Sequence, residues 1–330
     1  MYRRYAKDQP TGFTNSIEKV AIVGAGGSIG KHLTDQLAKT GKHTITAITR
    51  PESSSKIPDG VKTARVDYTG EDDSALVEVL RGQQVLLITM NVMAPHDTVV
   101  KLIRAAAKAG VRHIQPNWYG HDAANDALCD DSMLTASLDR AIETIKELGV
   151  SAYLLLICNF WYEFSLGGGP DRFGFDFTQR TFTMLDDGDC GRAIANMLSL
   201  KELPEDENDR SITLSQFANR CTYVSSFRLT QRDMFESVKR VTRTVDSDWT
   251  IIRESSLERF KEGQEGLKVH NSKVFTKMLY SRMFFPTGDG DYESRRELDN
   301  KALGLPVEDV DEATKEGTRM GLAGEVPFSH

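Results

Sequence analysis

The chain has 330 residues, a formal net charge of −7 and a pI of about 5.6, and this length suits one large domain or two smaller ones. Because the net charge is negative and the sequence shows no dense cluster of lysine and arginine, nucleic acid is excluded as the main partner. No apolar run reaches the roughly 18 residues that a membrane span needs, and residues 1–17 lack the apolar centre of a signal peptide. We therefore expect a cytoplasmic protein that does not bind membranes and whose partner is a small molecule.

The cysteines and histidines show no metal-binding or disulfide pattern. The four cysteines are widely spaced and form no C-x-x-C motif, and the seven histidines form no H-x-x-x-H or H-E-x-x-H pair. This predicts free thiols in a reducing compartment and no metal site.

A glycine-rich turn follows the first buried strand. Residues 20–23 are an apolar run, and Gly24, Gly27 and Gly30 follow it at the start of an amphipathic helix. Such a strand–turn–helix presents backbone N–H groups and the positive end of the helix dipole to an anion. Gly24 allows the turn, Gly27 lets a pyrophosphate approach, and Gly30 lets helix and strand pack closely. The predicted cofactor-binding residues of this turn are Gly24, Gly27, Ser28, Ile29 and Gly30.

The end of the second strand indicates which dinucleotide is bound. Residues 44–48 form that strand, and Thr49 and Arg50 follow where an NAD-selective site would carry an acid; the first acid is Glu52. A guanidinium can bond a 2′-phosphate through two parallel N–H groups, whereas a carboxylate repels it. Arg50 therefore favours NADP(H) over NAD(H).

The remaining pattern predicts strands alternating with amphipathic helices. Strands are expected at 61–66, 85–88, 112–115 and 152–158, and helices at 96–109 and 134–148. This rhythm predicts a doubly wound parallel α/β sheet, in which all strand ends bearing ligand-binding loops lie at one edge. By that placement, Asp67, Thr89 and Asn91 are further candidate cofactor residues.

Beyond residue 165 the pattern weakens and suggests a second unit. We predict a flexible N-terminal extension (1–18), a cofactor-binding domain (19–165) and a smaller, mostly helical substrate lobe (166–330) that returns a strand to the core. Within the lobe we expect helices at 190–200 and from Thr230 to Val241, and a strand at 221–227.

Two aromatic-rich stretches follow the fifth and sixth strands. Residues 116–121 read Pro-Asn-Trp-Tyr-Gly-His, and residues 159–162 read Asn-Phe-Trp-Tyr. Either Tyr119 or His121 can pass a proton, and aromatic rings can stack on an aromatic substrate. The candidate catalytic residues are Tyr119 and His121; the candidate substrate residues are Trp118, Phe160, Trp161 and Tyr162. The alternatives are a surface-loop position for His121, a pocket-wall role for Tyr119 and lobe packing for residues 160–162.

These features together resemble one family. The glycine spacing, the Thr49-Arg50 strand end, the lack of a Tyr-x-x-x-Lys motif and the two-lobe layout are similar to the NmrA-like, or isoflavone-reductase-like, atypical short-chain dehydrogenase/reductases. Residues 116–120 and 160–164 resemble a branch common in filamentous fungi. The resemblance covers roughly residues 19–300. It implies a Rossmann core, NADP(H) as cofactor, and reduction of small aromatic or polyketide-like natural products of secondary metabolism. It also implies that Asn159 contacts amide groups of cofactor or substrate.

The chain departs from that family at the expected proton donor. No tyrosine is followed four residues later by a lysine, and Thr135 falls where the isoflavone-reductase branch carries its lysine. A threonine hydroxyl cannot titrate near neutral pH. Three functions therefore stay open: an NADPH-dependent reductase, an NADP(H) sensor that acts on a regulatory protein partner, and a non-redox isomerase or cyclase that retains NADP(H). A homodimer is also open.

Overall fold

The computed structural model describes residues 5–91, 94–184, 194–269 and 274–326, and the features below concern those residues. A six-stranded, fully parallel sheet lies at the centre, in the order β3-β2-β1-β4-β5-β6. Its strands are β1 (Lys19–Val23), β2 (Thr44–Thr49), β3 (Lys62–Arg65), β4 (Val85–Ile88), β5 (His113–Gln115) and β6 (Ala152–Tyr153). The order reverses between β1 and β4, which confirms the doubly wound arrangement and places a ligand crevice at that point.

Five helices join these strands. They are α1 (Ser28–Thr40), α2 (Ser74–Leu80), α3 (His96–Ala109), α4 (Asp126–Ser132) and α5 (Thr135–Leu148). Helices α1, α3 and α5 each end at a left-handed glycine, namely Gly41, Gly110 and Gly149, a residue type that adopts this conformation without a Cβ penalty. The predicted helix at 96–109 is confirmed, and the one predicted at 134–148 begins one residue later.

The second half of the chain forms a smaller unit beside the sheet. Its elements follow β7 (Leu155–Ile157) and are α6 (Tyr162–Leu166), β8 (Phe175–Asp176), β9 (Thr181–Met184), α7 (Ile194–Leu198), β10 (Cys221–Tyr223), α8 (Gln231–Thr242), β11 (Thr250–Arg253), α9 (Ser256–Lys268), α10 (Val274–Met283) and α11 (Val310–Ala323). Strands β11, β9 and β8 form a separate three-stranded sheet. Phe182 stacks on Phe175 and Phe235 at ring-centroid distances of 4.3 and 4.7 Å, so this unit has an aromatic core of its own.

One strand of the second half pairs with the chain segment that follows β6. The predicted strand at 152–158 is divided at Leu154 into β6 and β7, and β7 pairs in parallel with β10. Leu154 itself bridges to Ala218. Residues from beyond the predicted boundary therefore pair with the continuation of β6, in a two-stranded sheet separate from the six-stranded one.

Helix α8 starts as its sequence predicts. The Thr230 hydroxyl accepts a hydrogen bond from the Asp233 amide at 3.1 Å, and the Asp233 carboxylate accepts one from the Thr230 amide at 2.9 Å. This reciprocal pair satisfies two amides that the helix cannot bond internally. Of the helix predicted at 190–200, α7 is described, whereas Cys190 lies outside the described residues.

The predicted flexible N-terminal extension makes specific contacts from residue 5 onward. The Ala6 amide donates to the Pro204 carbonyl at 2.8 Å, and the Asn15 side-chain amide donates to the Leu203 carbonyl at 2.9 Å. Ile17 is buried at the edge of the main core. Residues 5–17 are thus fixed against the loop that follows α7. No helix among the described residues is long and apolar enough to cross a membrane.

Candidate cofactor and substrate site

The turn between β1 and α1 leaves no room for side chains at two of its glycines. Gly24 has a φ of +86°, and a Cβ there would lie 2.3 Å from the Thr89 carbonyl oxygen. A Cβ on Gly30 would lie 2.1 Å from the Gly24 carbonyl oxygen. Thr89 closes the turn, since its hydroxyl donates to the Val23 carbonyl at 2.8 Å. The structure therefore gives Thr89, a predicted cofactor residue, a part in shaping the turn.

Gly27 is constrained differently from its neighbours. It is exposed, and a Cβ there would meet a single described atom within 4 Å, the Gly24 carbonyl oxygen at 3.3 Å. Gly27 is also the N-cap of α1 and so offers no side chain to the first amides of the helix. An open cradle of amides at the positive end of a helix dipole fits a pyrophosphate. Ser28 and Ile29 follow in the first turn of α1.

Arg50 is available at the end of β2. Its side chain is 53 % exposed, and its Nε atom lies 3.4 Å from the Glu52 carboxylate. The following loop is ordered by Arg65, which donates to two of its carbonyls at 2.9 and 3.1 Å. That loop touches the glycine turn, because a Cβ on Gly26 would lie 2.8 Å from the Ser55 Cβ. An exposed guanidinium beside the turn fits a 2′-phosphate, so the residues present suit NADP(H).

The other predicted cofactor residues at this edge differ in their surroundings. Asp67 is exposed after β3; the Thr69 hydroxyl and amide donate to its carboxylate, at 2.6 and 2.8 Å, and lower its pKa. Asn91 is exposed after β4. Asn117, which the sequence did not single out, ties β4 to β5: its side-chain amide exchanges hydrogen bonds with both backbone groups of Met90, at 2.9 and 3.0 Å.

Asn159 is engaged by the second half of the chain. It is buried, has a φ of +53°, and donates through Nδ2 to the Gly290 carbonyl at 3.0 Å. Its Oδ1 atom is buried with no hydrogen-bond partner among the described residues. One end of this amide is therefore used in packing, and only its oxygen is left for a ligand.

Tyr119 lies at the inner end of a cavity of about 380 Å³. Its hydroxyl is buried and has no hydrogen-bond partner among the described residues. Burial raises its pKa well above the ordinary value, so the phenol stays protonated at any physiological pH and has a proton to donate. Ser28, Cys158 and Trp161 line the same cavity. The cavity thus joins the first turn of α1 to the loops after β5 and β7.

The structure does not place His121 at this cavity. The side chain is 1 % exposed and packs edge-on against Trp118, with ring centroids 4.7 Å apart. Burial lowers its pKa to about 4, so the ring is neutral at pH 7. Its Nε2 atom has no partner among the described residues. The interpretation of His121 as a surface-loop histidine is wrong, because the ring is enclosed by its own loop.

Of the predicted substrate residues, Trp161 lines the cavity and the other three do not. Phe160 stacks on Tyr280 at 3.8 Å, Tyr162 is buried and hydrogen-bonds Thr314 at 2.9 Å, and the Trp118 indole donates to the His121 carbonyl at 3.1 Å. For Phe160 and Tyr162 these contacts match the packing alternative. Thr135 begins α5 and donates to the Cys129 carbonyl at 2.9 Å, away from the cavity.

The outer wall of the cavity was not predicted from the sequence. This wall comes from the second and third turns of α1, from α6, and from α11 with the residues that flank it; it includes His32, Gln36, Glu163, Phe164, Glu308, Glu316, Met320 and Glu325. Helix α11 packs closely on α6, since a Cβ on Gly167 would lie 2.6 Å from the Gly317 carbonyl oxygen. Gly317 and Gly321 lie one turn apart on α11. This pair of glycines is the sequence feature that could have indicated the close approach of the two helices.

Comparisons with known proteins point to NAD(P)H binding. Residues 24–126 match the model of a family described as NAD(P)H-binding. The chain is similar to the oxidoreductase aprR of Aspergillus flavus, with 26 % identity over 311 residues, covering 89 % of this chain and 96 % of that protein.

Solved structures share the fold at low identity. A structure of AtPrR2 with NADP⁺ and (+)pinoresinol has a TM-score of 0.66 at 17 % identity, covering 92 % of this chain and 99 % of that one. An isoflavone reductase has a TM-score of 0.65 at 19 % identity, with coverages of 91 % and 99 %. A ternary complex of leucoanthocyanidin reductase from Vitis vinifera has a TM-score of 0.67 at 11 % identity, with coverages of 91 % and 99 %.

The fold and the family match define a Rossmann-type NAD(P)H-binding protein, and the Aspergillus flavus protein to which it is similar is an oxidoreductase. More narrowly, the chain has the fold of the isoflavone-reductase-like atypical short-chain dehydrogenase/reductases, as the sequence resemblance implies. Among the described residues, no group of three or more His, Cys, Asp or Glu side chains is arranged to hold a metal ion.

Proposed function

We propose that this protein reduces a small aromatic or polyketide-like natural product with NADPH. The observation that carries the proposal is that Ser28 belongs both to the first turn of α1, beside the glycine cradle, and to the wall of the aromatic cavity. A substrate in that cavity would lie next to the cofactor. In this assignment the lobe from residue 166 onward contributes the part of the outer wall formed by Glu308, Glu316, Met320 and Glu325.

The chain's own residues would position the substrate and provide a hydrogen bond. NADPH supplies a hydride when bound. Leu156, Cys158 and Trp161 give an apolar wall that excludes water. The buried Tyr119 hydroxyl is the polar group at the inner end of the cavity, where it can donate a hydrogen bond to a substrate oxygen as negative charge develops there.

The similar proteins support this substrate class. One solved structure contains (+)pinoresinol beside NADP⁺, another is an isoflavone reductase, and the Aspergillus flavus protein is an oxidoreductase. The open cavity argues against the NADP(H) sensor, which needs no apolar substrate pocket. The absent lysine keeps the non-redox isomerase or cyclase as the alternative outcome of the test.

The test is a label-transfer experiment on the full chain. The protein is incubated with NADPH deuterated at C4 and a panel of aromatic ketones and enones, and products are analysed by mass spectrometry. We expect deuterium in the product and equal consumption of NADPH, and neither with the Gly27→Val variant. Product that forms without label or NADPH consumption would overturn the reductase and support the non-redox alternative.

A further inference from the structure

The cavity beside the glycine turn has two chemically different ends. Its inner end is apolar and aromatic, formed by Tyr119, Leu156, Cys158 and Trp161. At the outer end, all the described lining side chains that are charged at neutral pH are glutamates: Glu163, Glu308, Glu316 and Glu325. No described lysine or arginine lines the cavity. The described charge at the outer end is therefore negative.

The charge on the α11 wall does not cancel. Arg319 donates to Glu316 at 2.9 and 2.8 Å and to Glu325 at 2.8 Å through two nitrogens. One guanidinium shared by two carboxylates leaves the group with a net negative charge. The two glutamates are half exposed, so this charge acts at the mouth of the cavity, where it attracts ligands through water.

The inner end distinguishes the cavity from an acidic surface patch. Tyr119 is 8 % exposed, its hydroxyl has no described partner, and it lines the cavity. A buried hydroxyl without a partner costs free energy unless a ligand supplies one. Trp161 adds an indole ring, the aromatic surface that binds organic cations best.

We propose that the substrate is an aromatic cation, with a ring against Tyr119 and Trp161 and a protonated amine or similar positive group toward Glu316 and Glu325. This inference deepens the proposed function and rests on it. It excludes carboxylated and phosphorylated aromatics as good substrates, because their charge would face like charge at the mouth.

The test compares three probes of similar size on the NADP⁺-bound protein by calorimetry: 2-naphthylmethylammonium, neutral 2-naphthylmethanol and 2-naphthoate. We expect the cation to bind about tenfold more tightly than the alcohol, on the scale of one charge-assisted contact, and the anion to bind more weakly than either. The preference should shrink at about 1 M salt, where the screening length is about 3 Å.

Two variants locate the charge. The double variant Glu316→Gln/Glu325→Gln leaves Arg319 unpaired, so the cation should lose about tenfold in affinity while the alcohol is unchanged and the anion gains. Glu312→Gln on the same helix, whose side chain pairs with Lys315 outside the cavity, is the matched control and should leave the ranking intact.

The outcomes separate this inference from the proposed function. Equal binding of the three probes, or a preference for the anion, overturns the cationic substrate even if labelled NADPH reduces other compounds. Loss of NADP⁺ binding or of label transfer overturns the reductase, whatever the probes show.

Discussion

The carboxylate of Asp122 accepts two hydrogen bonds from the Arg296 guanidinium, at 2.9 and 2.8 Å, across 174 positions of sequence. The Asp122 side chain is 4 % exposed and also accepts a hydrogen bond from the Tyr223 hydroxyl at 2.8 Å. Asp122 belongs to the loop that carries Tyr119. The loop at the proposed reaction centre is therefore held by residues from the second half of the chain.

Removing one side of that pair should destabilise the protein. Arg296→Gln leaves a buried carboxylate without its cation, and we expect a loss of about 3 kcal/mol in the free energy of unfolding. The exposed Arg81, paired with Glu78, is the control, and Arg81→Gln should cost less than about 1 kcal/mol. Urea titration measures both. Equal effects would contradict a structural role for the Asp122 pair.

Arg50 should set the cofactor preference. A charge-assisted phosphate contact contributes about 1.5–3 kcal/mol, and the exposure of Arg50 favours the lower end of that range. Arg50→Ala should therefore weaken NADPH binding about tenfold and leave NADH binding nearly unchanged. Calorimetric titration of both cofactors is the measurement, with Lys39→Gln at the far end of α1 as a control for net charge. An equal loss for the two cofactors would remove Arg50 from the 2′-phosphate site.

The glycines of the turn should fail in different ways. Gly27→Val places a side chain in the pyrophosphate's approach, so NADPH binding should be lost while the far-ultraviolet circular dichroism stays near wild type. Gly30→Ala puts a Cβ against the Gly24 carbonyl oxygen. This variant should therefore lower the midpoint of thermal unfolding in addition to weakening NADPH binding. Normal NADPH affinity in Gly27→Val would place the cofactor elsewhere.

Tyr119 should matter for turnover and not for folding. If the reaction is a reduction, Tyr119→Phe should lower kcat about a hundredfold with a smaller change in KM. The free energy of unfolding should stay level, because the lost hydroxyl has no described partner. Since its pKa is raised, Tyr119 should add no alkaline limb to the pH–rate profile. Full activity in the variant would point to water or a substrate group as the proton source.

His121 should make the fold sensitive to mild acid. Its pKa in the folded protein is about 4, against about 6.5 when unfolded. The unfolded chain thus takes up the proton first, so stability is full above about pH 6.5 and falls as the pH drops toward 4. This group alone should cost about 2 kcal/mol between pH 7 and pH 5. Chemical denaturation of wild type and His121→Gln at both pH values tests it. A similar loss in the variant would assign the effect to other groups.

The sheet could be predicted from sequence because its signals are local. Each apolar strand and each helix that ends at a glycine can be recognised within about a dozen residues. The observed first and last residues of α3 match the predicted ones. The pairing of β9 with β11 places Thr181 opposite Thr250. Nothing in the sequence of either strand indicates the other as its partner. The small sheet was missed for that reason.

Some residues of the candidate site could likewise be predicted from the sequence, and others could not. The glycine turn and Arg50 were predictable, because one β-α-β unit brings them together. The enclosure of His121 could not be predicted, since it depends on how the loop after β5 closes around the ring. The acidic mouth was missed because α11 reaches the cavity only once the second half has packed against α6.

The pairing of Leu155–Ile157 with Cys221–Tyr223 has a consequence for synthesis of the chain. During translation β7 has no partner strand until β10 has left the ribosome, so its apolar edge is open to wrong partners in the meantime. A truncated chain that ended near residue 165 would carry the same open edge permanently. The cofactor half should therefore aggregate when it is expressed alone, although the glycine turn and Arg50 lie within it.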